Sequence, residues 1–171
     1  MRAVLADEVA LAGELIEPEA SPLLAPLVTP PLAPDQAIGL DLILEGFLLH
    51  HGRPRHVAPA APGREVLAGD YCYAHGLVRI AAAGDLFVVS ALADLIALGA
   101  GIVAAGERAG LVPLWRATTW AIVARDGPDP DGVEARFRAA QDALRSGAGH
   151  APLEELATGL APTPGLEEAL R

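Results

Sequence analysis

The chain has no lysine, no asparagine, a single cysteine and few aromatic residues, and each shortage excludes something. Aromatic residues make up only 4% of the sequence, so the core must come from the Ala, Leu and Val that dominate an apolar share of 52%. One cysteine, Cys72, excludes an intramolecular disulfide framework and fits a reducing cytoplasm. Without lysine, all 12 basic residues are Arg, against 22 Asp and Glu. The resulting net charge of −10 argues against nucleic-acid binding, which needs a basic face to neutralise phosphates. Arg2 is followed by Asp7, Glu8 and Glu14 within the first apolar stretch, a pattern unlike a secretory leader.

What is present organises 171 residues into one expected domain with flanking segments. Leu5, Val9, Ala12 and Ile16 recur at helical spacing and predict an amphipathic helix over 1–17. Pro18, Pro22, Pro26, Pro30, Pro31 and Pro34 follow, a density no regular helix tolerates, so 18–34 reads as an extended linker or arm. A helical domain is expected over 35–147. Asp35 would cap a helix ending near Gly52, and a second helix would run from about Gly63 to Ala83 and stop at Gly84. Leu86 to Gly106 carries Asp94 as its one charge. Its length approaches a membrane span, but a mid-span Asp costs roughly 2.5–3.5 kcal/mol on insertion scales, so a fully buried central helix is expected and no transmembrane span. Pro113 suits a first turn, and Asp131 with Glu134 resembles a capping box ahead of the Val133, Phe137, Ala140 and Leu144 stripe. A short helix and acidic tail fill 148–171. No alternating strand is evident, and the expected fold class is all-α: an antiparallel bundle of about six helices.

The residues that carry chemistry lie mainly between Asp41 and Asp70. Asp41-Leu42-Ile43-Leu44-Glu45 precedes His50-His51-Gly52-Arg53-Pro54, and Glu65-Val66-Leu67-Ala68-Gly69-Asp70-Tyr71 follows. Phe137-Arg138-Ala139-Ala140-Gln141-Asp142 and Arg145 come later. This order resembles the trans-isoprenyl (polyprenyl) diphosphate synthase family. There an Asp-Asp-x-x-Asp cluster precedes Arg-Arg-Gly-x-Pro, a Val-Leu-Ala-Gly-Asp helix follows, and a second Asp-rich motif lies downstream. The resemblance covers roughly residues 36–147 and implies a truncated isoprenoid-synthase-like bundle. In that family the two motifs hold Mg²⁺, a hard cation that takes oxygen ligands, against the substrate diphosphate.

By this resemblance Asp41 and Glu45 are a degenerate first motif, with Leu42 in an acid position. Asp70 matches the helix acid, and Asp142 is what remains of the second motif, with Gln141 and Arg145 in acid positions. Arg116-Ala117 stands where the family has Lys-Thr. A trinuclear Mg²⁺ site cannot be assembled from this set, so no catalytic residue, metal or cofactor is expected in this chain, and Mg²⁺ only in a catalytic partner. The resemblance then implies a non-catalytic small subunit, similar to component I of heterodimeric hexaprenyl or heptaprenyl diphosphate synthases. Such a subunit pairs with a full-length catalytic synthase and supports its activity and product chain length in quinone side-chain biosynthesis. A growing prenyl chain in a shared tunnel, and a cytoplasmic place that becomes membrane-peripheral through the complex, go with that reading. The alternative is a helical assembly or lipid- or quinone-binding protein that keeps the fold without prenyl chemistry.

Several residues carry two readings each. His50, His51, Arg53, Arg55 and Arg64, with His56, form the one locally basic segment, either a diphosphate or anion contact or a solvated helix end. Cys72 and His75 could join a zinc site, but a small core cysteine is the simpler reading. Asp70 and Asp94 sit in apolar helices and each needs a partner or a surface. Trp115 and Trp120 divide between core and interface.

Overall fold

Proline and glycine punctuation divides the chain into nine α-helices in this computed structural model, which describes residues 1–8 and 11–171, Pro62 by its backbone alone. They are α1 Arg2–Ala6, α2 Ala25–Val28, α3 Pro34–His51, α4 Pro62–Ala81, α5 Leu86–Ala105, α6 Leu111–Ala124, α7 Pro130–Arg145, α8 Ala151–Ala157 and α9 Pro164–Leu170. The protein is an all-α helical bundle, and no strand occurs among the described residues beyond an isolated antiparallel bridge between Leu15 and Val57. The described residues form two compact units, Met1–Asp85 and Leu86–Arg171.

The first unit is built on α3. Twelve of its residues are buried, on every side of the helix, and two of them are acids. Helix α4 packs antiparallel to α3 because glycines remove the side chains where the backbones approach. A Cβ at Gly76 would lie 2.6 Å from the Gly39 carbonyl oxygen, and one at Gly46 would lie 2.9 Å from the Gly69 carbonyl oxygen. Each pair is seven residues from the next on its own helix, so two full turns separate the contacts and the helices stay close along their length.

The flanking segments differ from expectation. Helix α1 ends at Ala6, and a 3-10 turn over Ala12–Glu14 follows, so the long helix expected over 1–17 is broken; Val9 of its stripe lies outside the described residues. The Pro-rich arm is docked. Leu24 and Val28 are fully buried and Leu32 nearly so, because apolar residues between the prolines find a surface on the first unit. Helix α3 starts one residue before Asp35, with Pro34 in its first turn, and Asp35 pairs instead with Arg79 at 3.2 Å.

In the second unit, α6 is the most enclosed helix, with Leu111, Leu114, Trp115, Ala117, Ala121 and Ile122 buried. Asp129, two residues earlier than the expected Asp131, caps α7 by accepting from the Gly132 amide at 3.1 Å. Helix α5 corrects the largest expectation. Phe87, Val88, Ala91, Leu92, Leu95, Gly99 and Ile102 are buried, but Leu86, Ser90, Ala93, Ala97, Gly101 and Ala104 form an exposed stripe on the opposite side. It is long and apolar enough to cross a membrane by length and composition, yet only one face of it is covered.

Candidate functional site

Asp41 and Glu45 stand one turn apart on α3 and share a face, as the i, i+4 spacing requires. They are 2% and 1% exposed. Buried carboxylates are costly unless hydrogen-bonded, and both are saturated with backbone amides. Asp41 Oδ1 accepts from the Leu23 and Leu24 amides at 2.9 and 3.0 Å, and Oδ2 from Ala25 at 2.8 Å. These amides lead into and open α2, at Leu23, its N-cap Leu24 and its first residue Ala25, so Asp41 caps that helix from another element. Glu45 does the same for a loop: both oxygens accept from the Arg55 amide at 3.0 Å, and Oε1 from His56 at 2.7 Å and Val57 at 3.1 Å. The Arg55 guanidinium closes the assembly by donating to the Ser21 carbonyl at 3.0 Å. Burial raises the pKa of both acids; the amides and the Arg55 charge pull the other way without overcoming it.

This geometry gives Asp41 and Glu45, the two residues expected to form a degenerate first motif, a folding task. Their oxygens point at amides of 23–25 and 55–57, within the protein, and present no open face for a cation. Among the described residues no three His, Cys, Asp or Glu side chains gather into a group that could hold a metal.

The basic segment is dispersed rather than focused. His50 Nε2 lies 3.2 Å from Asp70 Oδ1, and its ring stacks on Tyr73 at 5.3 Å. It occupies the space above Gly69, where a Cβ would come within 2.5 Å of Nε2. The His50–Asp70 pair therefore ties α3 to α4. His51 packs its ring against Phe47 at 4.9 Å. Arg64 pairs with Glu14 at 2.7 Å, Arg55 serves the loops just described, and Arg53 is exposed. Cys72 is fully buried among apolar residues, and burial pushes its thiol up to about 12, which makes it a poor nucleophile or metal ligand.

The remaining acid, Asp142, belongs to the second unit, so neither unit holds all three motif residues. It is exposed on α7 and pairs with Arg145 at 2.8 Å; Arg145 also reaches Asp94 on α5 at 2.7 Å. Asp94, the lone charge of the apolar helix, thereby has a partner. Arg116 is a clamp, a role that no motif or periodicity announced. It donates to the Ala157 and Leu160 carbonyls at 3.2 Å, holding the free end of α8, and to Glu167 on α9 at 3.4 Å. Trp115 is fully buried; Trp120 borders an open groove of about 660 Å³ with Arg136, Leu156 and Gly159, and the Arg136 guanidinium lies 5.6 Å from its ring centre.

No protein-family model, no curated protein and no solved structure matches the chain.

Proposed function

We propose that this chain is a non-catalytic helical subunit that acts in complex with a catalytic polyprenyl diphosphate synthase, supporting its activity and product chain length. One observation carries the subunit reading: α5, almost wholly apolar, leaves the stripe from Leu86 through Ala97 to Ala104 uncovered. Leu86 is 81% exposed, and in the first unit α4 likewise exposes Leu67 at 69% and Val78 at 68%. Large apolar residues left exposed along a helix are the kind of surface that a partner covers. The resemblance in motif order names the kind of partner, and the engagement of Asp41 and Glu45 with backbone amides supports a role without metal-dependent turnover of its own. The subunit would work in the cytoplasm and approach a membrane through its complex.

A second reading is a helical assembly or lipid- or quinone-binding protein without prenyl chemistry. It is favoured by the same two acids, since their structural task accounts for their presence in a protein that keeps the fold without prenyl chemistry.

Co-expression with a full-length polyprenyl synthase from the same genome tests the first reading. The expected result is a stable heteromer whose products differ in length or rate from those of the synthase alone. Identical products with and without this chain would overturn it and leave the assembly reading.

A further inference from the structure

The N-terminal segment, part of the first unit, lies as a cover over its α3–α4 face, where the Tyr71 hydroxyl donates to the Val4 carbonyl at 3.5 Å and the Ala60 amide to Glu14 Oε1 at 3.4 Å. Leu5 and Leu11 are buried on Leu42, Leu49, Val57, Ala68 and Cys72, with Met1, Val4 and Leu15 packed beside them. Two backbone hydrogen bonds hold the segment's far end: the Ile16 amide donates to the His56 carbonyl at 2.9 Å, and the Ala58 amide donates to Glu14 at 2.7 Å. Glu14 adds its pair with Arg64.

His56 sits at the centre of this seam. It is 5% exposed, and among the described residues its Nε2 has no hydrogen-bond partner. Arg2, Leu5, Leu15, Ile16 and Glu19 enclose it too tightly to admit a water. The charges that act on it are positive: Arg55 on its own loop and the N-terminal ammonium on the cover, while Arg2, also at the void, is paired with Glu17. Glu19 lies at the same void, and the Glu45 carboxylate below is committed to the His56 backbone amide. A proton on Nε2 would create a buried cation beside Arg55 and the N-terminal ammonium, with the Glu19 carboxylate at the void as counter-charge and no bond to it formed among the described residues.

We propose that residues 1–8 and 11–16 act as an acid-released strap, closed while His56 is neutral and lifted from the α3–α4 face, uncovering Cys72, when His56 takes up a proton. Burial and the neighbouring cations lower the His56 pKa from 6.5 to about 4 in the closed form. A lifted strap returns the ring to water and to its ordinary value. The closed–open balance then moves roughly 30-fold toward open between pH 7.5 and pH 5.

Cys72 provides the readout, because it is the only thiol and is fully buried beneath the strap. The experiment measures its rate with 4,4′-dithiodipyridine, which reports thiols in acid, relative to free cysteine at each pH. Hydrogen exchange resolved by peptide accompanies it. On going from pH 7.5 to pH 5 the relative thiol rate should rise by tens of fold, and strap amides should lose protection while α3 keeps its own. His56→Leu should abolish both responses, and Glu14→Ala should raise the thiol rate at every pH by loosening the seam. The proposal is overturned by an unchanged thiol rate at pH 5, by an acid response that survives in His56→Leu or His56→Gln, or by simultaneous loss of protection in strap and α3.

Discussion

A carboxylate that gathers backbone amides acts on the chain as a knot, and Asp41 and Glu45 are two such knots on one helix face. Asp41→Asn keeps the shape but aims an NH₂ group at amide donors, so a buried N–H loses its acceptor. The expected cost is about 2–4 kcal/mol, read from the urea midpoint, with Glu45→Gln comparable. Their pH behaviour opposes that of His56. Both acids have folded pKa values raised above the unfolded ones, so the folded state retains protons that the unfolded chain has released, and their contribution falls as pH rises through the raised values. His56 is a base lowered to about 4. Its contribution is fully present above 6.5 and is lost as pH falls from there toward 4. The stability difference between wild type and His56→Leu should therefore shrink by about 1–2 kcal/mol from pH 7.5 to pH 5, after allowance for solvent screening. Denaturant titrations of the two proteins at both pH values measure it.

At the scale of elements, the α3–α4 hairpin depends on small residues at the crossing points. In Gly76→Ala the new Cβ meets the Gly39 carbonyl oxygen at 2.6 Å and Ile43 Cγ1 at 2.7 Å, and neither the backbone nor a packed side chain yields freely. A loss of about 1–3 kcal/mol is expected. Gly101→Ala on α5 is the contrasting case, since nothing lies within 4 Å of its Cβ. Helical propensity alone should then stabilise the chain by about 0.5–1 kcal/mol. Thermal unfolding of the two variants should move in opposite directions. The helices themselves were legible from punctuation and periodicity: Pro34, Gly84 and Pro113 sit close to the observed boundaries. The glycine pairing was not, because Gly39 and Gly76 acquire meaning only when a distant segment packs against them. The docked Pro-rich arm escaped notice for the same reason. Proline density excludes a long helix correctly, but Leu24 and Val28 are drawn in by α3, which their own sequence does not encode. The motif acids were visible as acids on one face. Their hydrogen-bond donors are amides, present at every residue and therefore silent in sequence.

For the whole molecule, the exposed stripe of α5 is where the proposed subunit role can be tested. Ala97 lies in the middle of that stripe, open to solvent on a regular helix. Ala97→Glu costs only a few tenths of a kcal/mol of helical propensity in the free chain, so its melting curve should stay close to wild type. In a complex that covers the stripe, the same carboxylate would be taken out of water without a partner, which costs several kcal/mol. Co-elution with the candidate synthase should accordingly fall by two orders of magnitude or more in apparent affinity. Ala135→Glu, on the exposed side of α7, supplies the control: it adds the same charge to a chain already at −10 and should leave association unchanged. Equal weakening by both variants would trace the effect to net charge rather than to α5. No weakening by either would mean that the stripe is not the contact surface, and α4, with Leu67 and Val78 exposed, would become the next face to carry a charge.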